Sequence, residues 1–375
     1  MAATVKMLPV ASCHKQSDSR GDSTGLHNSG IDVNKTQGNG PAGDVLPRCD
    51  SVPVQKKRPA LCGILLAGGE GKRLRPLIHR LRGDMLPKQF VDFFGCRSML
   101  ERTWSRAAML IPPERILTVV SSGHLRYHEV RRQISNLPKG SVIVQPDNKD
   151  TGPGLFLPLM HLYKRYPRST VVVFPSDHFV YEEELFMSHV YLAYRAVERD
   201  PSRLVLLGIE ADTPEPEYGY ILPGERLEAM ASLGVFTISQ FIEKPALEAA
   251  QGLIRRGALW NTMVMVFRPS TLLHLLRRQF SAIYSRFQRL KEAIGSPLER
   301  AVLQETYDSM EPVNFSKHVL EIFVQRYPSR FLVLPVKGVA WSDWGSECRV
   351  MNTLKKIGCL EKSGWAVKKQ LAGAG

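Results

Sequence analysis

The sequence predicts a mixed, mostly parallel α/β sheet flanked by helices. Two observations carry that prediction. Short, nearly continuous apolar runs recur at Leu61–Ala67, Ile116–Val120, Val142–Val144, Thr170–Phe174 and Leu204–Ile209. Such runs fit strands buried on both faces. Between them lie stretches with helical spacing, around Met99–Leu110, Tyr127–Ile134, Leu155–Tyr166 and Leu185–Val197. Strands alternating with helices of that length imply βαβ units joined by right-handed crossovers. Ligands of such sheets bind beyond the carboxyl ends of the strands, where the strand order reverses.

Taken from the start of the chain, residues 1–58 are rich in Ser, Gly, Asp, Asn and Lys without a sustained apolar period, and read as a disordered leader. Val10-Ala11-Ser12-Cys13 loosely resembles a lipoprotein cleavage box. The apolar stretch before it falls short of the roughly 7–15 residues a signal needs, so export is not expected. From 59 to 358 the pattern reads as one mixed α/β unit, and 359–375 as a C-terminal tail. Past residue 215 the alternation loosens. Strand-like pieces are expected at Gly219–Leu222, Val235–Ile242, Thr262–Phe267 and Arg330–Val336. Helical stretches are expected from Leu272 to about Leu290 and from Leu298 to Ser309, with a closing helix after Trp341–Gly345.

Composition narrows the chemistry. Lys+Arg 50 against Asp+Glu 36 leaves a formal charge of +14. Residues 71–140 hold 14 Lys+Arg against 5 Asp+Glu, so most of the excess sits in one early stretch of the folded part. A chain of this kind attracts anions. No recognised nucleic-acid module accompanies the charge, and no apolar run approaches the roughly 18–20 residues of a membrane span. Nucleic-acid binding and membrane insertion are therefore set aside. The six cysteines are scattered without a Cys-x-x-Cys pair, which argues against a disulfide framework or structural zinc and fits a reducing, cytoplasmic compartment.

The first apolar run leads directly into Gly68-Gly69-Glu70-Gly71-Lys72-Arg73. Glycines after a buried strand let the backbone bend tightly and turn N–H groups toward an anion, so the loop reads as a phosphate cradle. It is not the dinucleotide fingerprint, because the sixth position from Gly69 is Leu74, and it is not a P-loop, because Leu66 stands where the first Gly belongs. Further motifs follow in order: Pro87-Lys88-Gln89-Phe90, Gln145–Pro153, Phe174-Pro175-Ser176-Asp177-His178, Tyr218-Gly219-Tyr220-Ile221, Phe241-Ile242-Glu243-Lys244-Pro245, Leu259-Trp260-Asn261 and Trp341-Ser342-Asp343-Trp344-Gly345. Taken singly, each has a plainer reading. Asp177 closes a turn, Glu243 and Lys244 form a surface ion pair, and Asn261 satisfies backbone groups.

In this combination and order the motifs resemble the sugar-1-phosphate nucleotidyltransferases, most closely the mannose-1-phosphate guanylyltransferases, over roughly residues 60–358. The resemblance implies a Rossmann-like sheet of the nucleotide-diphospho-sugar transferase type. It implies guanylyl transfer from GTP to mannose 1-phosphate, giving GDP-mannose and pyrophosphate with Mg2+ as cofactor. By the same resemblance Gly68, Gly69, Gly71 and Arg73 hold the nucleotide phosphates, and Thr151 lies near the base. Lys88 reaches the reacting phosphates, so Arg73 and Lys88 are the candidate catalytic residues. Gly219, Glu243, Lys244 and Asn261 contact the sugar phosphate, and Asp177 and Asp343 bind the magnesium. Lys72 and Arg75 depart from the family pattern at the loop, and Met263 departs from it after Asn261. Two other classes share these motifs: a transferase for another nucleotide or hexose 1-phosphate, and a nucleotide-sugar-binding regulatory subunit without the chemistry. Association into a homo-oligomer is left open.

Overall fold

The computed structural model describes residues 60–93 and 97–358. The expectations for the leader 1–58 and the tail 359–375 lie outside the described residues. A nine-stranded sheet is built from β1 (Leu61–Ala67), β2 (Ile116–Ser121), β3 (Val142–Gln145), β4 (Thr170–Pro175), β6 (Leu204–Glu210), β7 (Gly219–Arg226), β8 (Phe236–Glu243), β9 (Leu259–Phe267) and β10 (Phe331–Val336). Between β4 and β6 lies the short β5 (Phe179–Val180), which pairs antiparallel with β11 (Trp341–Ser342) in a separate ribbon. The order across the large sheet is β3-β2-β1-β4-β9-β6-β10-β8-β7. The strands β3, β2, β1 and β4 are mutually parallel, as are β6 and β10, whereas β9 and β8 run against their neighbours.

Every residue of β2 and β4 is buried, as expected of strands covered on both faces. Alternate residues feed two apolar cores. Leu65, Val172, Phe174, Val205 and Leu207 pack toward the helices Met99–Ala108 and Glu183–Arg199. Ile64, Val171, Val173, Leu204 and Leu206 pack toward Thr151–Arg165, Pro269–Gln279 and Ser281–Ala293. The result is a helix–sheet–helix sandwich. No helix among the described residues is long and apolar enough to cross a membrane.

Three expectations change. The helical stretch from Leu272 to about Leu290 breaks at Phe280, whose φ of −133° and ψ of 57° close one helix and open the next. The strand expected from Thr262 begins at Leu259, which places Trp260 and Asn261 in the sheet. The helix expected from Leu155 begins at Thr151. Gly152, Pro153 and Gly154 disguise its first turn, although proline is tolerated where the N–H has no intrahelical partner. No element was expected over residues 310–329. There the chain makes a wide π-type turn, Phe315–Leu320, that runs into a helix, Glu321–Arg326.

Candidate active site

β1 delivers the glycine loop to the carboxyl end of the sheet. Gln89 fixes the loop from behind, its Nε2 donating to the carbonyl oxygens of Ala67 at 2.8 Å and Gly69 at 2.7 Å. Gly71 has a φ of +57°, and a Cβ there would lie 3.0 Å from the Lys88 Cβ, so both backbone sign and space call for glycine. Glu70 lines the cleft beside the loop, accepting from Arg75 and lying 3.3 Å from His124 Nε2. Beside the loop lies a cleft of about 390 Å³ lined by Gly68, Gly69, Gly71, Gln145, Asn148 and Thr151, among others. Asp150 caps the helix that begins at Thr151. The Thr151 Oγ1 accepts the Phe315 N–H at 2.8 Å, so Thr151 anchors the 313–315 segment while lining the cleft.

A second cleft, of about 270 Å³, shares Gly71 and Lys72 with the first and adds Arg73, Lys88, Asp177, Trp344 and Gly345. Asp177 follows β4 and Asp343 follows β11. The β5–β11 pairing, Phe179 against Ser342 and Val180 against Trp341, draws these two turns together. The Lys88 ammonium lies between them. It is buried, donates to the Asp343 main-chain oxygen at 2.6 Å, and pairs with Asp177 Oδ2 at 2.9 Å. Burial pushes the Asp177 carboxyl upward, but Lys88 and the His178 ring outweigh it and hold the acid below its ordinary value. Burial outweighs Asp177 and lowers the His178 imidazole below its ordinary value, and its Nε2 lies 3.7 Å from Asp177 Oδ1.

The Asp343 carboxylate is held from several sides. Oδ1 accepts from the Tyr218 hydroxyl at 2.8 Å and the Gly345 N–H at 2.9 Å, and Arg349 Nε lies 3.0 Å from it. Oδ2 has only longer contacts, with Arg349 at 3.3 Å and Arg73 at 3.9 Å. The contact of Asp177 Oδ1 is the His178 ring, at 3.7 Å. Each acid therefore keeps one oxygen with acceptor capacity, and Lys88 ties the two together. Among the described residues no group of three or more His, Cys, Asp and Glu converges. The donor set fits magnesium, which accepts one or two carboxylates and completes its shell with phosphate oxygens and water. It does not fit a structural zinc site.

Arg349 carries no motif and was missing from the sequence reading. It lies on the closing helix Glu347–Lys356, over the Tyr218 ring at 5.0 Å. It donates to Glu215 at 2.5 Å and Glu217 at 2.7 Å as well as to Asp343. The signal available for it was the acidic stretch 212–217, which has no basic residue of its own. Arg73 lines the second cleft, and its half-exposed guanidinium is paired with Glu217.

On the other side of Tyr218, β7 and β8 pair Gly219 with Glu243. A Cβ on Gly219 would lie 2.5 Å from Glu243 Oε2 and 3.3 Å from the Asn261 Cβ, so the missing side chain makes room for the carboxylate. Lys244 turns through a φ of +52° and donates its N–H to the Tyr218 oxygen at 3.1 Å. Asn261 is buried and accepts the Met263 N–H at 3.0 Å, at a bulge of β9 where Met263 has a φ of +58°. The Met263 sulfur accepts from the Ser316 hydroxyl at 2.8 Å. Ser316 belongs to the unanticipated π-turn, and Lys317 and Glu321 follow it. Tyr218 links the two halves, touching Lys244 through its carbonyl and Asp343 through its hydroxyl.

Burial raises the Glu243 carboxyl to about 7, with Glu321 and Asp150 adding to the rise and Lys244 and Lys317 opposing it. A folded-state pKa above the unfolded value of about 4.3 means that protonation stabilises the fold. This group's contribution is complete below the unfolded value and is lost as pH rises through 7. The Glu243→Gln chain is expected to show a smaller fall in melting temperature between pH 5 and 8 than the parent. Equal falls in the two proteins would show that Glu243 titrates normally.

A family model described as Nucleotidyl transferase matches residues 62–353. The chain belongs to that family. Among curated relatives, it is 28% identical over 296 residues to the xanthan biosynthesis protein XanB of Xanthomonas campestris pv. campestris strain B100, covering 79% of this chain and 60% of the relative. It is also 28% identical over 286 residues to the mannose-1-phosphate guanylyltransferase of Escherichia coli strain K12, covering 76% of this chain and 57% of that protein. The chain thus spans somewhat over half the length of these two relatives. Among solved structures, the mannose-1-phosphate geranyltransferase from Thermus thermophilus superposes with a TM-score of 0.66 at 28% identity, covering 78% of this chain and 79% of that one. The α/β fold expected from the sequence is the fold of these relatives.

Proposed function

We propose that this chain transfers a nucleotidyl group from a nucleoside triphosphate to a sugar 1-phosphate and releases pyrophosphate, with GTP and mannose 1-phosphate as the substrate pair. The observation that carries the reading is the Lys88 ammonium, buried at the junction of the glycine-loop cleft and bonded to both the Asp177 carboxylate and the Asp343 main chain. The relatives named mannose-1-phosphate guanylyltransferase support the choice of substrates.

The reaction brings two anions together, so the protein must cancel charge and hold the groups in line. The glycine loop offers N–H groups and Arg73 a planar fork to the triphosphate, while Lys88 supplies a point charge beside the α-phosphate. An oxygen of the sugar phosphate forms a bond to the α-phosphorus as the bond to the β-phosphate oxygen breaks, and pyrophosphate carries away that electron pair. The attacking oxygen comes from the substrate, so no protein nucleophile and no covalent enzyme intermediate are needed. Asp177 and Asp343 would hold the magnesium, which when bound draws charge from the phosphates. Glu243, Lys244 and Asn261, grouped around Gly219, would bind the sugar phosphate, and the cleft beside Gln145 and Asn148 would take the base.

The test is pyrophosphate release with magnesium and mannose 1-phosphate, offering each of the four ribonucleoside triphosphates in turn, alongside Asp177→Ala. Release with GTP alone, abolished in the variant, is the expected result. A better response to another nucleotide would overturn the choice of GTP and keep the transfer. Silence with every nucleotide, and with glucose 1-phosphate as acceptor, would leave a binding subunit.

A further inference from the structure

Arg73 and Arg349 are threaded through three carboxylates. Arg349 is largely buried and contacts Glu215, Glu217 and Asp343 together. Arg73 is more exposed and contacts two of the same three, Glu217 and Asp343. Glu217 is therefore shared, with one arginine on each side. Its Oε2 is the atom that meets both guanidinium groups.

A guanidinium fork satisfied by a carboxylate is not free to form the same paired bonds with a phosphate. Glu217 and a triphosphate thus compete for Arg73. Losing Arg73 would not strand Glu217, because Arg349 keeps its 2.7 Å bond to that carboxylate. The exchange avoids the heavy cost of an unpaired charge. The relative exposure of the two arginines points the same way. The Arg73 side chain is 51% exposed and that of Arg349 only 13%, so Arg73 is the partner that can swing. The second cleft, which Arg73 already lines with Lys88 and Asp177, is where the freed fork would meet a phosphate.

We propose that Glu217 is a positioning residue that competes with substrate phosphate for Arg73, while Arg349 retains Glu217 when Arg73 leaves. The proposal rests on the phosphate-binding role given to Arg73 above. It makes Glu217 a determinant of nucleotide affinity that acts against binding, and it makes Arg349 the residue that keeps the exchange reversible.

The test measures binding of inorganic pyrophosphate, with magnesium, to the full chain by calorimetry. Glu217→Gln keeps the shape and removes the charge, and is expected to tighten pyrophosphate binding by roughly two- to fivefold, the range spanned by exposed ion pairs. The gain should disappear when Arg73 is already replaced, so Glu217→Gln in an Arg73→Gln background should bind pyrophosphate no better than Arg73→Gln alone. A merely structural ion pair would change the melting temperature and leave pyrophosphate affinity untouched, which would overturn the proposal. So would weaker binding in Glu217→Gln, or a gain that survives without Arg73. If the parent chain binds no pyrophosphate and releases none from any nucleotide, the transferase reading falls first and this inference with it. If the parent binds and Glu217→Gln matches it, only the inference falls.

Discussion

Lys88→Met is expected to reduce turnover by about 100- to 1,000-fold, by analogy with the loss of one preorganised donor to a developing oxyanion. Methionine fills much of the same buried space, so the change removes charge more than volume. Two things are lost together. The reacting phosphates lose a cation, and Asp177 loses the partner that outweighs its burial. The Asp177 carboxyl should then move upward, and activity should fall further at acidic pH than in the parent. The main-chain oxygens of Asp343 and Trp344 also lose their donor, at 2.6 and 3.4 Å. A buried acceptor left unpaired costs on the order of 1–3 kcal/mol, so a melting curve must accompany the kinetics. Turnover within tenfold of the parent, in folded protein, would remove Lys88 from the reaction.

Trp344→Ala should give the largest loss of stability, about 3–5 kcal/mol, read from urea titration. Trp344 has no exposed surface. It stacks on Phe179 with centroids 4.8 Å apart and planes 3° from parallel, and meets Phe93 edge-on at 5.1 Å. It also has a φ of +46°, which is unfavourable for any residue with a Cβ. Alanine empties the pocket and keeps that strain. Glycine empties the same pocket and relieves it. Trp344→Gly is therefore expected to be less damaged than Trp344→Ala, by up to about 1 kcal/mol, against the usual ranking of the two residues. The reverse order would mean that the backbone relaxes to negative φ once the ring is gone. Activity should fall in both variants, because Trp344 adjoins Asp343.

The sheet was legible because its strands are buried on both faces. Runs such as Thr170–Pro175 have no polar side to confuse the pattern. Candidate residues at strand ends, Asp177 and Asp343 among them, could be marked because motifs flank them. Their convergence was expected through the resemblance, but the ribbon that joins their turns could not be read, since its two strands have two residues each, too short to stand out. Phe280 was missed for a related reason. The apolar spacing of a helix runs through it without glycine or proline, so nothing local announces the break. The segment 315–326 was missed because its turn is wider than an α-helix and shifts the apolar positions out of period. Its loss hid Ser316 and Glu321, which contact Met263 and the Glu243 main chain. Arg349 and Glu217 lie 132 positions apart, and long-range ion pairs leave no periodic trace.

The ribbon of β5 and β11 also sets an order of assembly. Lys88 and Asp343 are separated by 255 positions, and they meet only after Trp341 and Ser342 have docked on Phe179 and Val180. During synthesis the glycine loop, Lys88 and Asp177 emerge long before their last partner. A nascent chain that has reached residue 330 carries the glycine loop but lacks β10, the strand between β6 and β8, and the second acid. Closing so long a loop adds little more entropy than closing one half its length, yet it delays the event until nearly the whole described fold exists. Completion of this site thereby waits on completion of the sheet.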